Sequence, residues 1–356
     1  MSSREKPERP ITVLIVDDSA ATRRALTKLL EMAPGLEVVG RAVDGEDGLK
    51  KALLLKPDVI TLDLEMPKMD GYAFLRLLMA RQPTPVIVVS SYGHQSDVFK
   101  ALQLGAFDFV ARPTEDDDAS FASVRGELIE KLRAARYMRR DEVKAPPPAP
   151  KAKAVKPVEP EAAKLVLIGA STGGPPAVQK LLESLVGLPV CVVVAQHMPA
   201  RFTQAFAERL DQSLSFRVSE AKSGDPILPG RVYVAPGGEQ LELEERAAGG
   251  LSLLVKMSTE TDAHAPSVDR LFLSAAKVVP AGTRAIVLTG MGSDGAKGAL
   301  ALKKAGVEVW AEAESTAIVF GMPEAAIKAG AVAKVLPLDQ LGPSLAASLS
   351  PPKGRG

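Results

Sequence analysis

Short apolar runs separated by stretches of helical period dominate this 356-residue chain. Between residues 11 and about 125, β-rich runs fall at Thr12 to Val16, Val38 to Arg41, Val59 to Leu62, Val86 to Val89 and Phe107 to Val110, with amphipathic stretches between them. Continuous apolar runs suit strands covered on both faces, so this half reads as a five-stranded parallel α/β sheet. Gly126 to Arg140 reads as helix with a basic end. The periodicity then stops. Lys144 to Lys164 collects Pro146, Pro147, Pro148, Pro150, Pro157 and Pro160 among Ala and Lys. That composition cannot build a core and predicts an extended, semi-rigid linker. Apolar runs return at 165–168, 190–195, 231–234, 251–255, 285–289 and 307–311, several separated by helical stretches, with a hairpin-like insertion near Gly237 to Gly250. The expected fold class is α/β, with two doubly wound parallel-sheet domains over 11–130 and 164–350, joined by a helix end and linker over 131–163.

Composition narrows the partners. The length provides for two cores without staples. Lys and Arg number 44 against 43 Asp and Glu, a balance that argues against steering by bulk charge to nucleic acid or anionic lipid. No run approaches the ~18 apolar residues of a membrane span, and Met1 to Pro10 is charged and lacks the apolar core of a signal peptide. A cytoplasmic protein without direct membrane insertion is expected. The single cysteine, Cys191, lies within Val190-Cys-Val-Val-Val194 and reads as strand packing, with no internal disulfide.

Candidate chemistry gathers where strands end. Asp17 and Asp18 follow the first run and Asp63 the third, and in a parallel sheet these ends share one edge. Three converging carboxylates repel one another unless a hard cation joins them, and this oxygen density suits Mg²⁺. Ser90 and Arg112 end the fourth and fifth runs. A hydroxyl and a cation facing metal-bound carboxylates suit phosphoryl transfer to an aspartate. Taken one at a time, these residues also read as helix N-caps.

In the second half, Leu165-Val-Leu-Ile-Gly-Ala-Ser-Thr-Gly-Gly174 reads as a buried strand turning sharply at Ser171. Gly169-x-Ser171-x-Gly173 fits a nucleophile elbow, although such turns also cradle phosphate or cap helices. His197 follows the 190–195 run, and Asp294 lies in the glycine-rich turn Thr289-Gly-Met-Gly-Ser-Asp-Gly295. Ser, His and Asp at three strand ends suggest a triad in which imidazole takes the hydroxyl proton and the carboxylate fixes its tautomer. The chain order Ser, acid, His of α/β-hydrolases would instead make His264 the base, with Asp225 or Asp262 behind it. His264 lies in a loop before a helix, so His197 ranks above it.

Val16-Asp-Asp-Ser19, Leu62-Asp-Leu-Glu-Met-Pro-Lys-Met-Asp-Gly71 and Val89-Ser-Ser91 resemble the receiver domain of two-component response regulators, a flavodoxin-like fold. The resemblance implies that Asp63 accepts a phosphoryl group from a chemotaxis histidine kinase. It also implies that Asp17, Asp18, Asp63 and the Glu65 carbonyl hold Mg²⁺, and that Ser90 and Arg112 engage the phosphoryl group. Arg112 stands where that family usually has lysine. Gly169-Ala-Ser-Thr-Gly-Gly174, Gln196-His-Met-Pro199, His264-Ala-Pro-Ser-Val-Asp269, Thr289-Gly-Met-Gly-Ser-Asp-Gly295 and Phe320-Gly-Met-Pro323 resemble the chemotaxis-type protein-glutamate methylesterase domain, which is Rossmann-like. By that resemblance Ser171, His197 and Asp294 are the triad, the Met291 amide supplies the oxyanion hole, and His264 borders the substrate groove. Gln240 replaces a histidine common at its position. The implied activity is phosphorylation-controlled hydrolysis of glutamate methyl esters on methyl-accepting chemotaxis receptors, with deamidation of receptor glutamines and no cofactor for the ester chemistry. A non-catalytic output domain that binds a partner, or an esterase for another substrate, is the alternative.

Overall fold

A computed structural model of the protein describes residues 9–90, 95–112, 118–135, 164–246, 249–280 and 282–350. Ser91, His94, Pro113 and the Pro-rich segment fall outside the described residues. The chain divides into two compact units, residues 1–147 and 148–356.

In the first unit β1 (Ile11–Val16), α1 (Ala20–Glu31), β2 (Leu36–Ala42), α2 (Gly45–Leu55), β3 (Val59–Leu62), α3 (Gly71–Arg81), β4 (Val86–Ser90), α4 (Gln95–Gln103), β5 (Asp108–Ala111) and α5 (Asp118–Ala134) alternate. The strands form one parallel sheet in the order β2-β1-β3-β4-β5. β3, β4 and β5 are buried at every position, which is why their sequences are mostly apolar. The chain leaves β1 toward one side of the sheet and β3 toward the other, so the switch point lies between the ends carrying Asp17 and Asp63. Helix starts are satisfied by other side chains. Ser19, Asp44 and Asp70 accept the N–H groups of Thr22, Asp47 and Ala73, so Asp17 and Asp18 are not the cap of α1.

The second unit contains β6 (Lys164–Ala170), α6 (Gly174–Glu183), β7 (Val190–Gln196), α7 (Phe202–Ser213), β8 (Arg217–Glu220), β9 (Arg231–Val234), β10 (Glu239–Glu245), β11 (Leu251–Met257), α8 (Val268–Val278), β12 (Arg284–Val287), α9 (Ala296–Lys304), β13 (Glu308–Glu312), α10 (Gly321–Lys328), β14 (Val332–Leu336) and α11 (Leu338–Leu349). Seven of its strands make a parallel sheet in the order β14-β13-β12-β6-β7-β9-β8. Here the switch point lies between β6 and β12, whose ends lead to Ser171 and Asp294.

Two features differ from the hydrophobic pattern. The 251–255 run does not enter this sheet: β11 pairs antiparallel with β10 as a separate hairpin, packing Leu241, Leu243 and Leu253 into the core beside Leu271 and Phe272 of α8. A five-residue apolar run shows burial without showing which sheet it joins. Strands β8 and β14 carry no such run, because they are the sheet edges and keep mostly polar or partly exposed positions. Among the described residues, no helix is long and apolar enough to cross a membrane.

Candidate functional site

At the carboxyl end of β6 the chain turns at Ser171. Its N–H donates to the Thr289 carbonyl (3.0 Å), and its own carbonyl accepts from Gly174 N (2.7 Å). Gly173 makes this turn with φ +72°, a conformation costly for a side chain, and a Cβ there would also meet Ile318. The turn after β12 lies directly against the serine, since a Cβ on Gly290 would approach Ser171 Cβ to 2.8 Å.

His197 enters from β7, fixed by its N–H on the Ala170 carbonyl (3.0 Å). Its Nδ1 stands 3.1 Å from Ser171 Oγ and its Nε2 2.7 Å from Asp294 Oδ2. A carboxylate can only accept in such a pair, so Nε2 carries the proton and Nδ1 presents its lone pair to the hydroxyl. Asp294 is held by more than the imidazole. Its Oδ2 accepts from Val268 N (2.7 Å), and its Oδ1 from Asp269 N (2.9 Å), Ser267 Oγ (2.9 Å) and Gly295 N (3.1 Å). The carboxylate therefore sits on the positive N-terminus of α8. Burial alone would raise its pKa, but the hydrogen bond and charge of His197 and the amides of Asp269 and Val268 hold it at about 2. An acid just before a helix usually caps that helix, but Asp294 does not cap the helix that follows it. The carboxylate serves α8, while α9 starts at Gly295 without a side-chain cap.

The other histidine lies against the same ring. His264 stacks on His197 with centroids 4.2 Å apart and planes 12° from parallel. Burial, then the His197 charge, lowers its pKa. The acids of the hydrolase-order alternative are engaged in turns, Asp225 with Lys222 N and Asp262 with Thr259 and Arg270. Among the described residues neither bonds to His264. Gln240 is fully buried and clamps the loop of His264: its Nε2 donates to the His264 carbonyl (2.7 Å) and its Oε1 accepts from Ser267 N (2.9 Å). Met291 follows Gly290, and among the described residues its N–H donates to no protein acceptor.

In the first unit, ligand oxygens of Asp17, Asp18 and Asp63 lie within 4.8 Å of one another at the switch point. Burial and the like charge of Asp63 push the Asp17 carboxyl up to about 6, against the pull of Arg112. Three hard oxygen donors so placed fit Mg²⁺. Arg112 spans two of them, its Nη2 lying 2.8 Å from Asp63 Oδ2 and 3.1 Å from Asp17 Oδ2. Asp18, Asp63, Glu65, Ser90 and Arg112 all line one cleft of about 190 Å³.

Several supporting contacts cannot be read from any one motif. Ser267 and the first amides of α8 hold Asp294 from 25 to 27 residues away along the chain. Thr289, whose carbonyl fixes Ser171, donates its own N–H to Glu312 Oε2 (2.9 Å), a fully buried carboxyl that burial pushes up to about 7. Only the Ser-Val-Asp start of α8 reads as an N-cap in the sequence; nothing in it points to Glu312.

Residues 166–345 match the CheB methylesterase family and residues 13–121 the response regulator receiver domain. The chain is 55% identical over 338 residues to a protein-glutamate methylesterase/protein-glutamine glutaminase of Myxococcus xanthus, covering 95% of this chain and 96% of that one. It is 52% identical over 343 residues to one of Anaeromyxobacter dehalogenans, with coverage of 95% and 96%. The CheB methylesterase catalytic domain of Thermotoga maritima aligns with 52% of this chain and 99% of its own length, at 37% identity and a TM-score of 0.49. By this identity over nearly its whole length, the chain belongs to the family of protein-glutamate methylesterases/protein-glutamine glutaminases that join a receiver domain to a CheB methylesterase domain.

Proposed function

We propose that this chain is a phosphorylation-controlled cytoplasmic esterase that hydrolyses glutamate methyl esters, and deamidates glutamines, on methyl-accepting chemotaxis receptors. The observation that carries the reading is the continuous hydrogen-bonded line from Ser171 Oγ through His197 to Asp294. Ser171 Oγ attacks the ester carbonyl while His197 Nδ1 takes its proton, and the imidazolium is stabilised by Asp294. The oxyanion forms toward the Met291 N–H. Return of the proton from Nδ1 to the leaving oxygen releases methanol and leaves an acyl-serine. Water, deprotonated by the same nitrogen, then frees the glutamate and restores Ser171. With a glutamine the leaving group is ammonia and the remaining steps are the same.

In the first unit Asp63 is the phosphoryl acceptor, supplied by a chemotaxis histidine kinase. Asp17, Asp18, Asp63 and the Glu65 carbonyl would hold Mg²⁺, which when bound supplies charge neutralisation for the incoming phosphoryl group. Arg112 offers a further cation to the phosphoryl oxygens and Ser90 a hydroxyl.

The reading is tested on receptor membranes by peptide mass spectrometry after incubation with the protein and a phosphodonor. Methylated glutamates should lose the mass of one CH₂, and glutamines should become glutamates. Unchanged receptor peptides, with small esters still cleaved, would make the chain an esterase for another substrate.

A further inference from the structure

Gln196 is the last residue of β7 and only 2% exposed. Its side-chain nitrogen donates to the carbonyl of Ser171 (2.8 Å) and to that of His197 (3.0 Å). These two residues come from different strands. The β6–β7 ladder ends at the pair Ala170–Gln196, and beyond it the His197 N–H on the Ala170 carbonyl is one more tie before both chains turn away. Past that point one amide nitrogen grips the backbone of the nucleophile and of the base. The other side-chain atom, Oε1, lies against Gly174 at the start of α6, is buried and, among the described residues, has no hydrogen-bond partner. A buried carbonyl oxygen without a partner is destabilising, so packing alone would favour an apolar side chain here.

We infer that Gln196 is a positioning residue of the esterase, setting the separation of Ser171 Oγ and His197 Nδ1 by holding both carbonyls on one nitrogen. The role needs two N–H donors on a single atom at the end of a side chain of this length, which glutamine supplies. Glutamate of the same size would set carboxylate oxygen against two carbonyls. Methionine would fill the space and leave both carbonyls without the donor. The inference rests on the Ser171, His197 and Asp294 reading above.

The test uses the full chain with Gln196→Met and Gln196→Glu, beside wild type and Ser171→Ala. For each, kcat and KM for methanol release from methylated receptor membranes are measured, with the rate at which a small fluorophosphonate labels Ser171. Trp310, the single tryptophan and fully buried in the second unit, reports folding by its emission. Both Gln196 variants should lose about 10- to 100-fold in kcat, the scale set by misplacing reacting groups by a fraction of an ångström to an ångström. KM should stay within about twofold and labelling should fall in parallel with kcat, because the defect lies in the attack itself. A folded variant with wild-type kcat and labelling overturns the inference, as does a rise in KM with kcat retained. If Gln196→Met does not fold, Gln196→Glu decides. Methanol release by Ser171→Ala would overturn the underlying esterase reading; its loss there, with wild-type Gln196 variants, would overturn the positioning role alone.

Discussion

The Asp294 carboxylate lies 2.7 Å from His197 Nε2, and so determines which imidazole nitrogen faces the Ser171 hydroxyl. With the proton held on Nε2, Nδ1 is the acceptor for Ser171. In Asp294→Asn the amide can offer its own N–H to Nε2, which favours the tautomer with the proton on Nδ1 and blocks uptake of the serine proton. The variant also removes the negative charge from the α8 N-terminus. Its kcat for methanol release should fall about 10²- to 10⁴-fold, the usual contribution of a positioned acid–base group. Circular dichroism should show the fold retained.

The stacked histidines separate two possible triads. His197 bonds to both Ser171 and Asp294, whereas His264 only covers its face. A ring contact of this kind is worth about 0.5–1.5 kcal/mol, so His264→Ala should retain activity within about tenfold of wild type. His197→Ala should lose it almost completely. Steady-state rates of the two variants that came out in the reverse order would make His264 the base.

Acid should weaken the second unit through Asp294. Its carboxyl is held at about 2 in the folded protein, below the ordinary value of about 3.9. The resulting stabilisation is complete above the unfolded value and is lost as pH falls through the folded one. It amounts to about 2–3 kcal/mol. Urea midpoints followed by Trp310 emission should therefore drop between pH 5 and pH 2, and this drop should be shallower in Asp294→Asn.

Phosphorylation should depend on Asp63 and tolerate a lysine at 112. Arg112 bridges Asp63 and Asp17 through one nitrogen, and an ammonium keeps the charge while losing the planar fork. Arg112→Lys should keep stimulation of the esterase by acetyl phosphate, and Arg112→Gln should reduce it several-fold. Mass spectrometry should find one labile phosphoryl group, dependent on Mg²⁺ and missing from Asp63→Asn.

Much of this arrangement is legible in the sequence for a simple physical reason. Central parallel strands are buried on both faces, so β1, β3, β4, β6, β7 and β12 appear as apolar runs, and the residue after each run falls on the ligand-binding edge. That rule alone brings Asp17 near Asp63, and Ser171 near His197 and Asp294. It fails for β8 and β14, whose edge positions need no apolar run, and for 251–255, which belong to a separate hairpin. The grip of α8 on Asp294 was also hidden, because it depends on which helix start the sheet topology sets beside that turn. Gln240 was visible as a departure from a related pattern. Its clamp on the His264 loop follows only from the hairpin packing.

Volatile methanol released from methyl-labelled receptor membranes reports whether Ser171 carries ester hydrolysis under control of Asp63. The full chain should release methanol, and acetyl phosphate should raise the rate in wild type but not in Asp63→Ala. A version lacking residues 1–140 should release it without needing the phosphodonor. Ser171→Ala, folded by Trp310 emission and still phosphorylated on Asp63, should release none. Near wild-type release by that folded variant would mean that Ser171 is not the residue that attacks the ester.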